Sequence, residues 1–419
     1  MNRVILSLVL LAFIIASCHQ KTEKTGKTEF SNWSGPNRDG IFPEKNLLKQ
    51  WTEKGPEMLW SFDGLGFGYS SVAVANNKVY VTGIKDTISS VGTLYTFDVK
   101  GKLLWQKDYG KDFTSNFNGT RSTPVIVDDL IYIESGMGTV YCLNSESGEQ
   151  VWSVDFIKDF GVDSVIQFGY AESVLIDGDI LICVPGGKVN NVVALNRFTG
   201  KKVWSSKGFE EQATYNSPIL INRNSQRLII AMSASSIMGI DAGTGEMYWR
   251  VEQTQQNKIH ANTPLYFDGK LVIASAGREA TSGMVQLLLS ANGKSAEVNW
   301  RNKKLITLMG GMVRIDTCIY GSAYLKNDWQ VINWNTGEMM VQNKELGGGS
   351  IIYADGLFYC YSENDGEMAL VNASSEKFEI ISKFPVPFGT DQHWARTVIK
   401  DGRLYVRHGN ALMVYNIAK

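Results

Sequence analysis

The chain has 419 residues, and its 41 basic and 42 acidic side chains give a formal net charge of −1. Because nucleic-acid binding rests on clustered positive charge, this balance argues against a nucleic-acid partner. Hydrophobic residues make up 44% and charged residues 20% of the chain, which excludes general disorder. Length alone would allow two or three domains. The repeats along the chain predict a single domain.

Residues 1–17 have the layout of a secretory signal peptide. One Arg precedes an apolar run from Val4 to Ala16, which is too short to span a bilayer comfortably. The run ends in IASC, the layout of a bacterial lipoprotein signal, in which Cys18 would become the lipidated N-terminus. Residues 18–32 are polar and predict a flexible tether. We therefore expect a lipid-anchored protein of the cell envelope. An Asp directly after the lipidated cysteine would suggest retention at the inner membrane, and its absence after Cys18 favours the outer membrane. A plain signal peptide is the alternative.

The remaining cysteines predict no metal or redox site. Cys142, Cys183, Cys318 and Cys360 lie far apart, each in an apolar run, and no C-x-x-C pair occurs. We interpret them as small buried core residues.

The body of the chain is a repeat. Six tryptophans recur at intervals of 45 to 52 residues, and four of them follow a Gly turn by four positions. Each unit also carries short apolar runs joined by acidic or Asp-Gly turns, which suit β-hairpins because Gly accepts positive φ. Four strands in roughly 45 residues are typical of one β-propeller blade. We interpret the tryptophans as packing between blades: Trp60, Trp105, Trp152, Trp204, Trp249 and Trp300.

Eight blades follow from this count, so the predicted fold is an all-β, eight-bladed propeller with four-stranded blades. Residues 392–419 supply only three strands, and the segment 57–63 supplies one strand without a blade. Pairing the two would close the ring with an N-terminal strand and leave no open sheet edge. The seven complete blades are predicted at 67–110, 119–157, 168–209, 213–253, 259–305, 308–346 and 347–386.

The repeat resembles the quinoprotein-type (PQQ-like) β-propeller family. The resemblance lies in blocks such as ALNRFTGKKVW at 194–204 and IDAGTGEMYW at 240–249, and in the opening WSGPNRDG at 33–40. It covers nearly all of 33–419, the predicted propeller domain. The family contains dehydrogenases and assembly scaffolds, so the resemblance indicates the fold and leaves the function open.

The residues just before each predicted inner strand should surround the central funnel. They form a polar and aromatic collar that suits a small polar ligand or a metal. The alternative is that these groups satisfy one another and order water. The candidate ligand-binding residues are Tyr69, Arg121, Tyr170, Glu172, Tyr215, Asn216, His260, Asn262, His393 and Trp394.

The resemblance also implies a way to test for dehydrogenase chemistry. Quinoprotein dehydrogenases hold calcium beside the quinone PQQ through Glu and Asn side chains, with an Asp as base. Glu172 and Asn262, or Asn216, would supply two calcium ligands here. No Asp occupies an aligned collar position, and neither adjacent cysteines nor a C-x-x-C-H haem site occurs. We therefore expect no cofactor and assign no catalytic residue.

Three functional hypotheses remain. The first is a lipid-anchored envelope propeller for binding or scaffolding, with envelope proteins or a small polar ligand as partners and the lipid on Cys18 as membrane contact. Its loops 84–93, 157–168 and 277–284 would form the partner surface. The alternative is a PQQ- and calcium-dependent dehydrogenase acting on an alcohol or sugar. The third is a sugar-binding module, suggested by the Tyr, Trp and His residues of the collar.

Overall fold

A computed structural model describes residues 30–277, 279–324 and 326–419. The predicted signal peptide 1–17, Cys18 and the tether up to residue 29 lie outside the described residues. Within the described ranges no helix is long and apolar enough to cross a membrane. One short helix, α1 (Phe156–Phe160), accompanies 34 strands in this part of the chain.

The strands follow one another as a repeated antiparallel meander. In chain order they are β1 (Phe30–Ser31), β2 (Ile41–Phe42), β3 (Met58–Phe62), β4 (Ala73–Ala75), β5 (Lys78–Ile84), β6 (Val91–Asp98), β7 (Leu103–Lys111), β8 (Val125–Val127), β9 (Leu130–Glu134), β10 (Thr139–Asn144), β11 (Gln150–Asp155), β12 (Leu175–Asp177), β13 (Ile180–Cys183), β14 (Val192–Asn196), β15 (Lys202–Ser206), β16 (Ile219–Arg223), β17 (Gln226–Met232), β18 (Ser236–Asp241), β19 (Met247–Glu252), β20 (Leu265–Phe267), β21 (Lys270–Ser275), β22 (Gly283–Leu289), β23 (Ala296–Asn302), β24 (Met312–Ile315), β25 (Cys318–Ala323), β26 (Asp328–Asn333), β27 (Met339–Asn343), β28 (Gly349–Ala354), β29 (Leu357–Ser362), β30 (Glu367–Ala373), β31 (Phe378–Pro385), β32 (Val398–Lys400), β33 (Arg403–His408) and β34 (Ala411–Asn416).

These strands form eight sheets, and the predicted eight-bladed propeller is confirmed. Blades 1 to 7 are four consecutive strands each, from β4–β7 through β28–β31. Blade 8 has the order β3-β34-β33-β32, so the strand from the front of the chain completes it. In that closing pair Trp60 lies opposite Val414 and Phe62 opposite Leu412. Closure removes the two free edges that an open ring would expose.

The repeated Gly and Trp residues hold neighbouring blades together. The indole of Trp152 packs against Gly200 of the next blade, where an added Cβ would lie 2.9 Å from the ring. Gly200 has φ of 70°, a conformation that side chains with a Cβ disfavour. The indole nitrogen of Trp152 also donates to the Arg197 carbonyl oxygen at 2.9 Å. The same packing of an indole ring against a glycine joins Trp60 to Gly101, Trp105 to Gly148, Trp204 to Gly245 and Trp300 to Gly337.

The core is divided among the blade interfaces. Eight apolar clusters occur in the described chain, and each one joins the facing sheets of two neighbouring blades. Blades 2 and 3, for example, share a cluster that contains Cys142 and Cys183. All four described cysteines are buried and free. Removing apolar surface from water between every pair of blades stabilises the ring as a whole.

Candidate functional site

One end of the ring carries the longer connections. We call it the loop face, and define it by the segments that join the outer strand of one blade to the inner strand of the next. The opposite end carries the tight turns between the first two strands of each blade, such as the turn at 128–129. The loop-face segments are 63–72, 112–124, 156–174, 207–218, 253–264, 303–311, 344–348 and 386–397.

The centre of the ring is occupied by the chain's own residues 30–42, which we call the channel segment. It begins as β1, which pairs with β8 of blade 2, and ends as β2, which pairs in parallel with β28 of blade 7. Between these strands the WSGPNRDG sequence makes a loop in which Ser34 and Arg38 have positive φ, at 59° and 60°. The Gly40 amide donates to the Ser34 carbonyl oxygen at 2.9 Å and closes the loop.

The channel segment contacts all eight blades. Ser31 accepts from the Val74 amide of blade 1 at 3.2 Å, and the Trp33 indole donates to the Thr263 hydroxyl of blade 5 at 3.0 Å. Strand β1 pairs with blade 2 and β2 with blade 7, while Arg38 bonds to blades 3 and 4. Gly40 lies beside Val313 of blade 6, and the Ser34 hydroxyl accepts from Arg396 of blade 8 at 2.5 Å. This segment therefore ties the ring together from within.

Arg38 is the buried cation at the centre. Its guanidinium donates to the carbonyl oxygens of Ser173 at 3.0 Å, of Pro218 at 2.8 Å and of Val174. Only 2% of the residue is exposed. Burial lowers its pKa to about 10, and the negative charge of Glu172 opposes that shift. The group therefore remains charged at neutral pH and bridges the starts of two inner strands.

A buried carboxyl group, Glu172, lies beside this cation, and a second, Glu134, lies beside Glu172. One oxygen of Glu172 accepts from the Val184 amide at 3.1 Å, and the other has no hydrogen-bond partner among the described residues. Burial raises the pKa of Glu172 to about 8, although Arg38 opposes the shift. Glu134 has no hydrogen-bond partner for either oxygen within the described chain, and burial together with Glu172 raises its pKa. Desolvation thus favours the protonated forms of both groups.

Several predicted collar residues point into the blade interfaces. The Asn262 amide donates to the carbonyl oxygens of Ala274, Thr307 and Leu308 at 3.1, 2.9 and 3.2 Å. Its side-chain oxygen accepts from the Gly311 amide at 3.0 Å. Asn262 is therefore hydrogen-bonded throughout and joins blades 5 and 6.

Three further collar residues are also buried, although Asn216 and His260 each keep one side-chain nitrogen without a hydrogen-bond partner in the described part. Tyr170 donates to the Pro185 carbonyl oxygen at 2.8 Å. His260 has one ring nitrogen 3.1 Å from the Ala234 carbonyl oxygen, and burial lowers its pKa to about 4. These three side chains face protein and leave little surface for a ligand.

His393 lies against a second histidine. Its ring stacks on His408, with 3.6 Å between ring centroids, and its Nδ1 contacts the Tyr361 hydroxyl. Burial and His408 lower the pKa of His393 to about 4. The ring nitrogens of His408 lie 2.9 Å from the carbonyl oxygens of Phe388 and Asp391.

The other predicted residues lie together on the loop face, with two aromatic residues that sequence reasoning missed. The Trp394 ring lies 4.9 Å from Tyr69 and 5.0 Å from Phe117, and Phe168 lies 6.4 Å from Phe117 and 6.0 Å from Tyr215. We call these five residues the aromatic band. All five are partly or fully exposed. Phe117 and Phe168 lie in connections between strands and not in apolar strands, and this position could have indicated from the sequence that they are exposed.

Arg121 supports the aromatic band from within. Its guanidinium donates to the carbonyl oxygens of Gly119, Asn116 and Phe117 at 2.6, 2.8 and 2.8 Å. The group also lies over the Phe113 ring, and burial lowers its pKa. Arg121 therefore shapes the connection that carries Phe117.

These residues do not fit a calcium–quinone site. Calcium takes six to eight oxygen ligands. Asn262 has its oxygen bonded to Gly311, and Glu172 lies beside the charged Arg38. No group of three or more His, Cys, Asp or Glu residues in the described ranges could hold a metal ion.

Fold and site together define a quinoprotein-type β-propeller whose centre is closed by its own N-terminal segment. Of the six aromatic residues that are most exposed in the described chain, four lie on connections at the loop-face end, and Phe198 and Phe267 lie at the opposite end. The chain belongs to the PQQ_2 family, since residues 90–367 match the family described as "Outer membrane protein assembly factor BamB". The predicted relationship to PQQ-like propellers is therefore confirmed.

Curated relatives include two kinds of protein. The "Quinohemoprotein alcohol dehydrogenase" of Comamonas testosteroni is 26% identical over 162 residues, which cover 34% of this chain and 22% of that protein. The "Outer membrane protein assembly factor BamB" of Kangiella koreensis is 24% identical over 187 residues, which cover 43% of this chain and 42% of that protein. The match thus spans less than half of either relative.

Solved structures of both kinds of protein share the fold of this chain. BamB from Moraxella catarrhalis has a TM-score of 0.59 and 14% identity, covering 86% of this chain and 97% of that one. Quinohemoprotein alcohol dehydrogenase ADHIIG from Pseudomonas putida HK5 has a TM-score of 0.61 and 14% identity, covering 91% and 79%. Assembly factors and dehydrogenases therefore both remain among its structural relatives.

Proposed function

We propose that this protein is a binding or scaffolding module of the cell envelope, anchored through lipid on Cys18, that holds its partners on the loop face. The observation that carries this proposal is that the channel segment contacts all eight blades. The segment therefore occupies the centre of the ring, where a small ligand would otherwise lie. The outer-membrane assembly factors among its relatives support the envelope role. Binding residues commonly lie on loops held by a rigid scaffold.

The loop face has the composition of a protein-binding surface. Ile88, on the β5–β6 connection that lies at the same end as the loop-face segments, is 95% exposed, and Phe117 is 49% exposed. Aromatic residues are enriched where proteins meet. Other large exposed side chains on the connections at this end are Met137, Val189, Phe209, Tyr324 and Phe388. We expect envelope proteins to cover part of this surface.

Site-specific photo-crosslinking in the native bacterium tests the proposal. A photoreactive residue at Ile88 or Phe117 should give defined crosslinks to envelope proteins, identified by mass spectrometry. The matched control is Val203, which is exposed on the outer strand β15. Equal crosslinking at all three positions, or none at the loop face, contradicts the proposal. Cys18→Ser should release the protein from the membrane fraction.

Dehydrogenase activity is the second candidate, because a quinohemoprotein alcohol dehydrogenase is among the relatives. The buried state of Glu172 and Asn262 disfavours it. Equilibrium dialysis with PQQ and calcium, followed by dye reduction with alcohols and sugars, separates the two. We expect neither quinone binding nor dye reduction. Stoichiometric quinone binding that is lost in Glu172→Gln would instead favour the dehydrogenase.

A further inference from the structure

A cleft of about 190 Å³ opens where the loop-face connections of blades 3, 4 and 5 meet. Four amide side chains line it, and Tyr215 of the aromatic band lies beside them. We call it the amide cleft. Its lining includes Gln167, Gln212, Gln256, Asn257, Lys258 and Tyr215.

The amides of this cleft are available to a ligand. Gln167, Gln256 and Asn257 are exposed, and their side chains make no hydrogen bond to the described part of the protein. Gln212 accepts from the Lys258 ammonium group at 3.0 Å. An amide carries both donors and an acceptor, so it can bind a hydroxyl group in either direction. Several such amides in one cleft suit a ligand that presents many hydroxyl groups.

The main chain of the cleft is already hydrogen-bonded. The Gln212 carbonyl oxygen accepts from the Ala234 amide at 2.9 Å, and the Glu211 carbonyl oxygen accepts from the Gly187 amide at 2.9 Å. Ala213 pairs with Ser233 as an isolated bridge. A peptide that binds by adding a strand needs unpaired main-chain groups. The cleft does not offer that edge, and this favours a ligand bound by side chains.

The aromatic band extends the cleft with ring surfaces. Tyr215 and Phe168 are tilted by 54° and Phe117 and Trp394 by 58°, so neither pair covers its ring faces by parallel stacking. The flat faces of aromatic rings pack well against apolar surfaces such as the C–H faces of sugar rings. Among the cleft residues named above only Lys258 carries a charge. The chemistry therefore favours a neutral ligand.

We propose that the amide cleft and the aromatic band bind a neutral oligosaccharide. Tyr215 packs against a sugar ring, the amides bind its hydroxyl groups, and the aromatic band receives the sugars that follow. This inference rests on the proposed binding function and names a ligand class for the same face.

The test is calorimetry on the full-length protein in a detergent without a sugar headgroup. The probes are neutral hexasaccharides of glucose, mannose, xylose and N-acetylglucosamine, with an acidic hexasaccharide as comparison. At least one neutral probe should bind. The double variant Gln167→Ala/Gln256→Ala should weaken it at least tenfold, and Trp394→Ala should weaken it separately. Gln106→Ala, an exposed amide on the outer strand β7, should leave the affinity unchanged.

Three outcomes overturn the inference: no neutral probe binds, only the acidic probe binds, or the double variant binds as tightly as the unmodified protein. Crosslinking at Phe117 is measured separately. Envelope crosslinks without sugar binding refute the oligosaccharide alone, whereas the loss of both results also refutes the proposed function.

Discussion

The central channel and the loop face of this propeller differ in what their polar and aromatic side chains contact. In the channel Arg38 donates to three carbonyl oxygens from two blades and is almost fully buried. On the loop face Phe117 is half exposed, and the amides of Gln167 and Gln256 have no partner among the described residues. Polar groups in the channel therefore hold the ring together, while the exposed amides of Gln167 and Gln256 on the loop face remain free for a ligand.

Arg38→Ala should have the largest effect on stability, because it removes the buried guanidinium that joins two blades in the channel. The change leaves buried carbonyl oxygens without a donor and Glu172 without its cation. Each buried acceptor left unpaired costs about 1–3 kcal/mol, so losing three hydrogen bonds from the guanidinium should cost about 3 kcal/mol or more. Denaturant unfolding should report a loss of that size. Arg227→Ala is the matched control, because Arg227 is an exposed ion-pair partner of Asp177 and should cost under about 1 kcal/mol. Equal losses would mean that Arg38 has no central role.

Gly200→Ala should have the next largest effect, since it tests the contacts between blades. The added Cβ would lie 2.9 Å from the Trp152 ring at a φ of 70°. A left-handed conformation costs about 1–2 kcal/mol for a residue with a Cβ, and the clash adds to it. Gly178→Ala has a similar φ of 57° but nothing within 4 Å, so it isolates the backbone cost. A smaller loss for Gly200→Ala than for Gly178→Ala in thermal unfolding would refute the packing role.

The buried carboxyls predict a dependence on pH. The pKa of Glu172 is raised in the folded state to about 8, so this state keeps a proton that the unfolded chain has lost. Stability from this group is complete below the unfolded pKa and is lost as pH rises towards 8, by at most about 1.4 kcal/mol per pH unit. Denaturant midpoints between about pH 7.5 and 8.5 should fall, and Glu172→Gln should reduce the slope. An unchanged slope would contradict this assignment.

His260 and His393 should act in the opposite direction at lower pH. The pKa values of His260 and His393 are lowered to about 4, so the unfolded chain binds protons that the folded chain does not. Stability should therefore fall as pH decreases from about 6.5 to 4. Because the unfolded histidines have lost most of their protons by about pH 7.5, the interval above that pH isolates the carboxyl effect.

Phe117→Ala should have the smallest effect on folding, because it changes an exposed residue of the loop face and not a buried residue of the channel. Half of the side chain is exposed, so we expect a change of about 1 kcal/mol or less in unfolding free energy. Binding on the loop face should weaken all the same. A variant that unfolds readily would show that Phe117 belongs to the core, and one that binds its partners unchanged would show that Phe117 takes no part in binding.

The fold was predictable because its determinants repeat. Gly200 and Trp152 mark one interface, and the same spacing marks others, so the pattern counts the blades. The ring closure was also predictable, because Trp60 lay on a strand without a blade and the last blade lacked a strand. Arg38 could not be placed in this way, because the channel segment occurs once and has no period.

The collar was predicted only in outline, because position relative to an inner strand does not fix the direction of a side chain. Asn262 turns inward and bonds four main-chain groups, whereas Trp394 stays at the surface. Glu134 carries no sequence signal that distinguishes it from other strand-end acids, since its raised pKa arises from burial beside Glu172. Contacts between distant blades decide such details.

The channel segment also bears on how the protein would be oriented at a membrane. Phe30 pairs with Val127 beside the tight turn at 128–129, at the end of the ring opposite to the loop face. A chain from a lipidated Cys18 to Phe30 can reach at most about 40 Å. The proposed anchor would therefore hold the turn side of the disk towards the bilayer. The aromatic and amide side chains would then point away from the lipid, into the aqueous space where soluble domains and glycans are found.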